Sequence, residues 1–202
     1  MVVDSKLKLA YVQDLYYYGD CVRTGLVYPG GGSILMKMII SFLKENKKQL
    51  DIEKIQLKDN STLFCESKKI KIDLALLHTF VFGTTWYGKY GFMPYDYEND
   101  KIHDANIVLY GRNKKLIETI LVKNTKIKEY LKNSVKMEKL ENKTKNIDVM
   151  LKDYGDKTVS VFIKDFMKNF QKGCALFSHF YRLLAVDIGI TNFYGQSFIL
   201  YI

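Results

Sequence analysis

The sequence predicts a mixed α+β fold, with a mixed sheet flanked by helices in the first half and a mainly helical region packed on it in the second. In residues 1–98, segments that alternate apolar and polar residues, as strands do, are interspersed with segments whose apolar residues recur at helical spacing. In residues 99–202 the helical spacing dominates, until the closing "SFILYI" predicts one more strand. We therefore expect two domains with a boundary near residue 98.

Composition and charge narrow the class of protein. Of the 202 residues, 48% are apolar and 14% aromatic, so we expect a packed core rather than global disorder. The net charge of +9 favours anionic partners, although an AT-rich genome also produces a bias toward Lys, Ile, Asn and Tyr. No apolar run reaches the roughly 18 residues that a membrane span requires, so we expect no span.

The cysteines and the first residues bear on the compartment. Cys21, Cys65 and Cys174 are an odd number, lie far apart and form no C-x-x-C pair. This usage predicts free thiols in a reducing, cytoplasmic environment and argues against a disulfide framework or a zinc site. The first residues lack the basic-then-apolar layout of a signal peptide, which agrees with that expectation.

The first elements are predicted from residue spacing and turn residues. Residues 7–11 alternate as in a strand, Gly19-Asp20 predicts a turn, and Val22–Tyr28 predicts a short strand. A helix follows, with Ser33 as its N-cap. Its apolar residues are numerous enough to predict a deeply buried helix: Ile34, Leu35, Met36, Met38, Ile39, Ile40, Phe42 and Leu43.

The next elements continue the alternation of strands and helices. Ile55 and Leu57 share one side of a predicted strand, which Asp59-Asn60-Ser61 closes as a turn. Helical spacing from Ile70 onward predicts a second amphipathic helix, and Gly83 is placed to end it.

Residues 101–153 are strongly basic. They hold 12 Lys and one Arg against seven Asp or Glu, a net charge of +6, on two or three predicted amphipathic helices. A surface for nucleic acid or an acidic partner is one interpretation, and a solvated helix face is the other. A more apolar helical segment follows over Val159–Leu184.

The run Pro29-Gly30-Gly31-Gly32-Ser33 stands at the start of the apolar helix. Glycines are entropically costly, but their bare backbone N–H groups at a helix N-terminus can cradle a phosphate. Two common phosphate motifs are excluded, because no Gly-Lys-Ser/Thr follows the run and the dinucleotide pattern needs a glycine where Leu35 stands. A flexible turn is the other interpretation of the run.

Together with a second motif, this run resembles the cofactor-binding half of the GCN5-related N-acetyltransferases. That family carries an Arg/Gln-x-x-Gly-x-Gly/Ala turn that opens a helix, then a strand, a further helix and a Tyr-x-x-x-Gly-Phe motif. Residues 30–35 match the turn and the helix start, and residues 87–92, "YGKYGF", match the second motif. The resemblance covers about residues 20–96.

The resemblance implies a cofactor, a site and an activity. The cofactor is acetyl-coenzyme A, with no metal, and the reaction is acetyl transfer to an amine of a small molecule or protein. Tyr87 would protonate the coenzyme A thiolate as general acid, and backbone N–H groups would hold the oxyanion. Packing is the competing role for Tyr87, because "TWYGKYGF" is rich in aromatic residues. The cofactor-binding segment would comprise Val27, Gly30, Gly31, Gly32, Ser33 and Ile34.

Three departures from the family pattern leave other functions open. Val27 stands where the family has Arg or Gln, so Arg23 or Lys89 would have to support the pyrophosphate. The N-terminal part that builds the acceptor pocket is largely missing, and the basic C-terminal region has no counterpart. The first alternative is therefore a non-catalytic scaffold or assembly protein. The sequence resembles divergent acetyltransferase-like proteins of large DNA viruses, which implies a virion or virus-factory location. The second alternative is a basic nucleic-acid-binding module.

The remaining polar candidates have structural interpretations. Asp59 and Glu66 follow the second strand, where a general base could lie, but a turn role is commoner for such residues. His78, His103 and His179 lack metal-ligand spacing, so we expect structural or solvated histidines.

Overall fold

The fold is mixed α+β, as the sequence predicts. The computed structural model describes residues 1–13, 31–99, 101–102, 104–138, 144–168 and 170–202. Eight strands lie within these residues: β1 (Val2–Asp4), β2 (Leu9–Val12), β3 (Lys54–Lys58), β4 (Thr62–Cys65), β5 (Ile70–Asp73), β6 (Met93–Asp96), β7 (Lys101–Ile102) and β8 (Ser197–Tyr201). The same residues form nine α-helices: α1 (Gly31–Glu45), α2 (Lys47–Leu50), α3 (Leu74–Phe82), α4 (Asp104–Thr119), α5 (Ile127–Met137), α6 (Thr144–Tyr154), α7 (Val159–Phe166), α8 (Phe170–Ser178) and α9 (Tyr181–Ile188).

The chain divides into two compact units that interleave along the sequence. The sheet unit comprises Met1–Lys58, Tyr90–His103 and Gln196–Ile202, and the helical unit comprises Asp59–Lys89 and Asp104–Gly195. The expected boundary near residue 98 does not coincide with these units. The C-terminal strand belongs to the sheet of the N-terminal residues, so the segments of the two units alternate along the sequence.

The sheet unit is built on a six-stranded mixed sheet in the order β1-β2-β3-β8-β6-β7. Strands β2 and β3 are parallel, with Ala10 opposite Ile55, and the neighbouring pairs are antiparallel. Three of these strands were predicted from the sequence: β3, the closing β8, and β2, which overlaps the strand predicted over residues 7–11. Their buried residues Ile55, Phe198 and Ile199 form part of the core of this unit.

Helix α1 corrects two expectations. It begins at Gly31, so Ser33 lies inside the helix and is not its N-cap. The prediction of a deeply buried helix is also wrong, because only Met36 and Leu43 are fully buried. The apolar side chains of α1 lie on several faces of the helix, and only one of these faces packs against the rest of the unit. Four large side chains are 44–63% exposed: Ile34, Leu35, Met38 and Phe42.

The helical unit packs its helices with the hairpin formed by β4 and β5, whose register pairs Thr62 with Asp73 and Cys65 with Ile70. The predicted helix from Ile70 is therefore wrong over Ile70–Asp73. These four residues pair as a strand, and α3 begins only at Leu74. Gly83 ends α3 as predicted, with φ of +76° and its N–H bonded to the Thr79 carbonyl.

The core of the helical unit is rich in aromatic side chains. Phe177 contacts Phe80 edge-on and stacks on Tyr181, with ring centroids 6.2 and 5.3 Å apart. Phe180 contacts Phe177 and Phe166 in the same cluster. The apolar helical segment predicted over Val159–Leu184 is confirmed, divided into α7, α8 and the first half of α9.

A disulfide joins Cys65 on β4 to Cys174 on α8, with the two Cα atoms 5.7 Å apart. The expectation of free thiols is wrong for these two residues, both of which are fully buried. Their separation of 109 residues carries no recognisable cysteine spacing, so only the fold reveals the pair. Cys21 lies outside the described residues.

Across the described residues, no helix is long and apolar enough to cross a membrane.

Candidate functional site

The glycine run is partly described. Gly31, Gly32 and Ser33 form the first turn of α1, whereas Val27 and Gly30 lie outside the described residues, as do the turn at Gly19-Asp20, the predicted strand Val22–Tyr28 and Arg23. No acidic residue occupies this first turn. A Cβ added to Gly31 would meet no atom within 4 Å, so the backbone here is open. Ile34 is 56% exposed on the same helix.

Helix α1 belongs to the connection between β2 and β3. The two strands are parallel neighbours, and α1 lies between them in sequence. Only residues 51–53 separate α2, which follows α1, from β3. The N-terminus of a helix presents backbone N–H groups that can bind an anion.

Tyr90 of the second motif belongs to the sheet unit, as α1 does. The Tyr90 hydroxyl donates to the Ser33 carbonyl over 3.5 Å, a long contact that places this phenol beside the first turn of α1. Gly91, with φ of +89°, follows it and leads into β6. A Cβ at Gly91 would lie 3.4 Å from Leu200. The glycine of "YGF" thus serves a left-handed turn close to β8.

The earlier part of this motif lies in the helical unit, in a turn fixed by hydrogen bonds. The Thr85 hydroxyl lies 2.9 Å from the Tyr110 hydroxyl, and the Gly88 N–H donates to the Thr85 carbonyl over 3.1 Å. A Cβ at Gly88 would lie 2.1 Å from Thr84 Oγ1, which explains the glycine at this position. Burial raises the pKa of Tyr110 to about 12, so its phenol stays protonated.

Tyr87 lies in this turn and is only 8% exposed. Its ring packs edge-on against Trp86 with centroids 5.0 Å apart, and Lys89 Nζ lies 4.7 Å from the centre of the Trp86 ring. Tyr87 belongs to the helical unit and Gly31 to the sheet unit, and each is described within its own unit. Within the helical unit, Tyr87 is therefore part of an aromatic packing cluster.

Asp59 is a buried carboxyl group directly after β3. Its Oδ1 accepts a hydrogen bond from the Ser61 backbone N–H at 3.1 Å and another from the Ser61 hydroxyl. These bonds confirm the turn predicted for Asp59-Asn60-Ser61. Among the residues that the structure describes, its Oδ2 has no hydrogen-bond partner. Burial, with a smaller contribution from the nearby Asp73 carboxylate, raises the pKa of Asp59 to about 6. Glu66 lies exposed in the β4–β5 turn.

A polar contact that the sequence did not predict lies beside β5. Asp73 is buried, and its carboxylate accepts hydrogen bonds from Arg182 Nη2 on α9 at 3.2 and 3.3 Å. Asn192 adds a longer bond of 3.5 Å. The partners are more than 100 residues apart in sequence, so no local pattern marks them.

Six of the twelve lysines of residues 101–153 lie around helices α5 and α6. Two adjoining depressions of about 470 and 370 Å³ open there and share Thr125 and Lys128 as lining residues. Their lining carries six lysines and two carboxylates: Lys123, Lys126, Lys128, Lys132, Lys136, Lys152, Glu129 and Asp148. Like charges around a concave surface reinforce one another, so this is a site of positive potential.

Two histidines have structural partners. His78 Nδ1 lies 2.7 Å from the Thr84 carbonyl, and its burial lowers its pKa. His179 Nε2 lies 2.5 Å from Glu138, which also pairs with Lys68. His103 lies outside the described residues. Among the described residues there is no group of three or more His, Cys, Asp or Glu side chains that could hold a metal ion.

Comparisons with protein families, curated proteins and solved structures find no match for this chain.

Proposed function

We propose that this chain is a GCN5-related N-acetyltransferase that takes an acetyl group from acetyl-coenzyme A to an amine. The observation that carries the proposal is the parallel β2–α1–β3 connection with the glycines at the start of α1. A first turn with open backbone at Gly31 and no acidic side chain suits the pyrophosphate of coenzyme A. The contact from Tyr90 to Ser33 supports the pairing of the two sequence motifs.

Each residue of the proposed site would have a separate role in binding or in proton transfer. The N–H groups of Gly31, Gly32 and Ser33 would bind the pyrophosphate, with Gly30 and Val27 preceding them in the chain. Because Val27 supplies no charge, backbone donors would carry most of that interaction. An amine nitrogen would attack the thioester carbonyl and form the C–N bond as the C–S bond breaks. Tyr87 would give its proton to the departing thiolate, and the proton lost by the amine nitrogen would restore the Tyr87 phenol.

The first alternative is a non-catalytic scaffold that keeps the same architecture for assembly, with a virion or a virus factory as its location and other proteins as its partners. The packing of Tyr87 against Trp86 favours this alternative as much as it favours catalysis. The two functions differ in turnover, because a scaffold does not release coenzyme A.

The test is release of coenzyme A from acetyl-coenzyme A, with spermidine and a lysine-rich peptide as amine acceptors. The proposal predicts turnover, and Tyr87→Phe should lower kcat by about 100-fold or more with little change in the KM for acetyl-coenzyme A. Tyr97→Phe, at a tyrosine that is 64% exposed, is the control and should retain full activity. Turnover unchanged in Tyr87→Phe would remove the acid role. Binding of acetyl-coenzyme A without turnover on either acceptor would favour the scaffold.

A further inference from the structure

We propose that the lysines around α5 and α6 form a binding surface for the phosphate backbone of nucleic acid, read without regard to base sequence. This surface is independent of the proposed acetyltransferase site. Within the basic region 101–153, the proposed surface consists of a row of three lysines and the two depressions beside it. The row, here called the lysine row, consists of Lys128, Lys132 and Lys136 on α5.

Helix α5 is amphipathic, and its buried side determines which way the lysine row faces. Its core side is formed by Ile127, Leu131, Ser134 and Val135, all fully buried. The three lysines recur every four residues on the other side, about 6 Å apart along the helix by its rise per residue. Lys128 and Lys136 are exposed and Lys132 is half-buried, so the row presents charge to solvent along three turns.

The lysine row borders the two depressions, and most of the charged side chains that line them are also positive. The first is lined by the lysine row together with Lys126, and the second adds Lys123 and Lys152 from the far side. The polyanionic backbone of nucleic acid gains from several lysines at once, because each neutralised phosphate releases a condensed counterion. A single bound phosphate would use only one or two of them.

Asp148 on α6 opposes two lysines of the row, and Asp156 and Asp187 pair with Lys123 and Lys126 beside it. Asp148 Oδ1 lies 3.0 Å from Lys128 Nζ and 3.3 Å from Lys132 Nζ, and the carboxylate holds both lysines at the boundary between the two depressions. These groups are largely exposed, so the ion pairs contribute little to stability. They keep the lysines close together, and a phosphate can replace the carboxylate as their partner.

The neighbouring side chains favour nucleic acid over a lipid surface. The apolar residues that line the depressions, Val122 and Leu151, are 4% and 9% exposed, so the depressions themselves offer nothing to insert into acyl chains; the exposed apolar side chains beside them in sequence are Met137 and Val149. Tyr130 stacks on Phe180 with ring planes 10° apart, so it is engaged within the core and offers no platform for a base. Contacts to phosphates alone position a nucleic acid without reading its sequence.

The first experiment measures fluorescence anisotropy of a labelled mixed-sequence 20-bp DNA duplex with the full chain, from 20 to 200 mM KCl. We expect affinity to fall steeply with salt, and the triple variant Lys128→Glu, Lys132→Glu, Lys136→Glu should bind at least tenfold more weakly with a salt slope reduced by about 3. The control is Lys37→Glu, Lys44→Glu, Lys48→Glu, which makes the same charge change at three exposed lysines of the sheet unit. It should stay within about threefold of the wild type. Equal losses in both triple variants, or no binding of the wild type at 20 mM KCl, would overturn the proposal.

The second experiment is a gain of binding, which does not depend on a variant that weakens the fold. Asp148→Asn should tighten duplex binding several-fold, because it removes the carboxylate that competes for Lys128 and Lys132. Glu53→Gln is the matched control, since it removes a carboxylate that pairs with Lys8 in the sheet unit. No tightening in Asp148→Asn would contradict the assignment. Binding to phosphatidylserine vesicles with no binding to the duplex would replace nucleic acid with a lipid surface.

Discussion

Cys65 and Cys174, 109 residues apart, are joined by a disulfide that links strand β4 to helix α8 inside the helical unit. Both side chains are fully buried in the core cluster of that unit. The crosslink closes a long loop that contains α3 to α7. It therefore lowers the conformational entropy of the unfolded chain more than a crosslink that closes a short loop.

Reduction of this disulfide should lower stability strongly. From the length of the closed loop we expect a loss of about 4 kcal/mol, an upper value because the reduced chain keeps some structure. Thermal unfolding with and without dithiothreitol measures it. Cys65→Ala, Cys174→Ala should be less stable and insensitive to the reductant, whereas Cys21→Ser should behave as the wild type. An unfolding temperature that does not respond to the reductant would show that the two sulfurs are not bonded in solution.

Asp59 should make stability depend on pH in the acidic range. Its pKa is raised from 3.8 to about 6 in the folded chain, so the folded state holds the proton more tightly than the unfolded state. The associated stability is fully present below about pH 4 and is lost as the pH rises through about 6. A difference of about two pH units corresponds to about 3 kcal/mol.

Asp59→Asn should therefore stabilise the protein at pH 7.5 and have little effect at pH 4. Urea denaturation at both values, compared with the exposed control Asp51→Asn, isolates the contribution of this carboxyl group. A variant with the same change in unfolding free energy at both pH values would contradict the assignment.

Two adjacent residues of α1 should differ sharply in their contribution to the free energy of unfolding. Leu43 is fully buried, so Leu43→Ala should cost about 2–5 kcal/mol of unfolding free energy. Phe42 is 51% exposed, so Phe42→Ala should cost much less although it removes more atoms. Urea denaturation of both variants gives the comparison. A larger loss for Phe42→Ala would show that this face of α1 is covered in solution.

The sequence predicted elements whose pattern is local. Strand β3 follows from Ile55 and Leu57 on one side, and the end of α3 follows from Gly83, which adopts the left-handed conformation that glycine allows. Asp59-Asn60-Ser61 forms the predicted turn because its hydrogen bonds join residues two apart. Each of these signals is contained within a few residues.

The features that the sequence did not predict depend on distant parts of the chain. Ile70 and Ile72 fit a strand as well as a helix, and pairing with β4 decides between them. The interleaved units follow from β8 joining the sheet beside β3. The exposure of Phe42 depends on which side of α1 is packed, because apolar residues surround that helix.

The candidate site was predicted only in part. The start of α1 near Gly31 and the turn that holds Tyr87 were found from the motifs, whereas the pair Asp73–Arg182 was not, since its partners have no fixed spacing. The lysine row was visible only as a net charge. Its concentration around α5 and α6 required the helices and their buried sides.

The most direct test of the central claim is calorimetric titration of the full chain with acetyl-coenzyme A, with the Gly31→Glu and Gly111→Glu variants alongside. A Cβ at either glycine meets no atom within 4 Å, so both variants should fold, and both add one negative charge to a helix. We expect binding to the wild type and to Gly111→Glu, with affinity lowered at least tenfold in Gly31→Glu, where the carboxylate opposes the pyrophosphate. No binding to the wild type at millimolar acetyl-coenzyme A, or equal binding to all three proteins, would contradict the central claim.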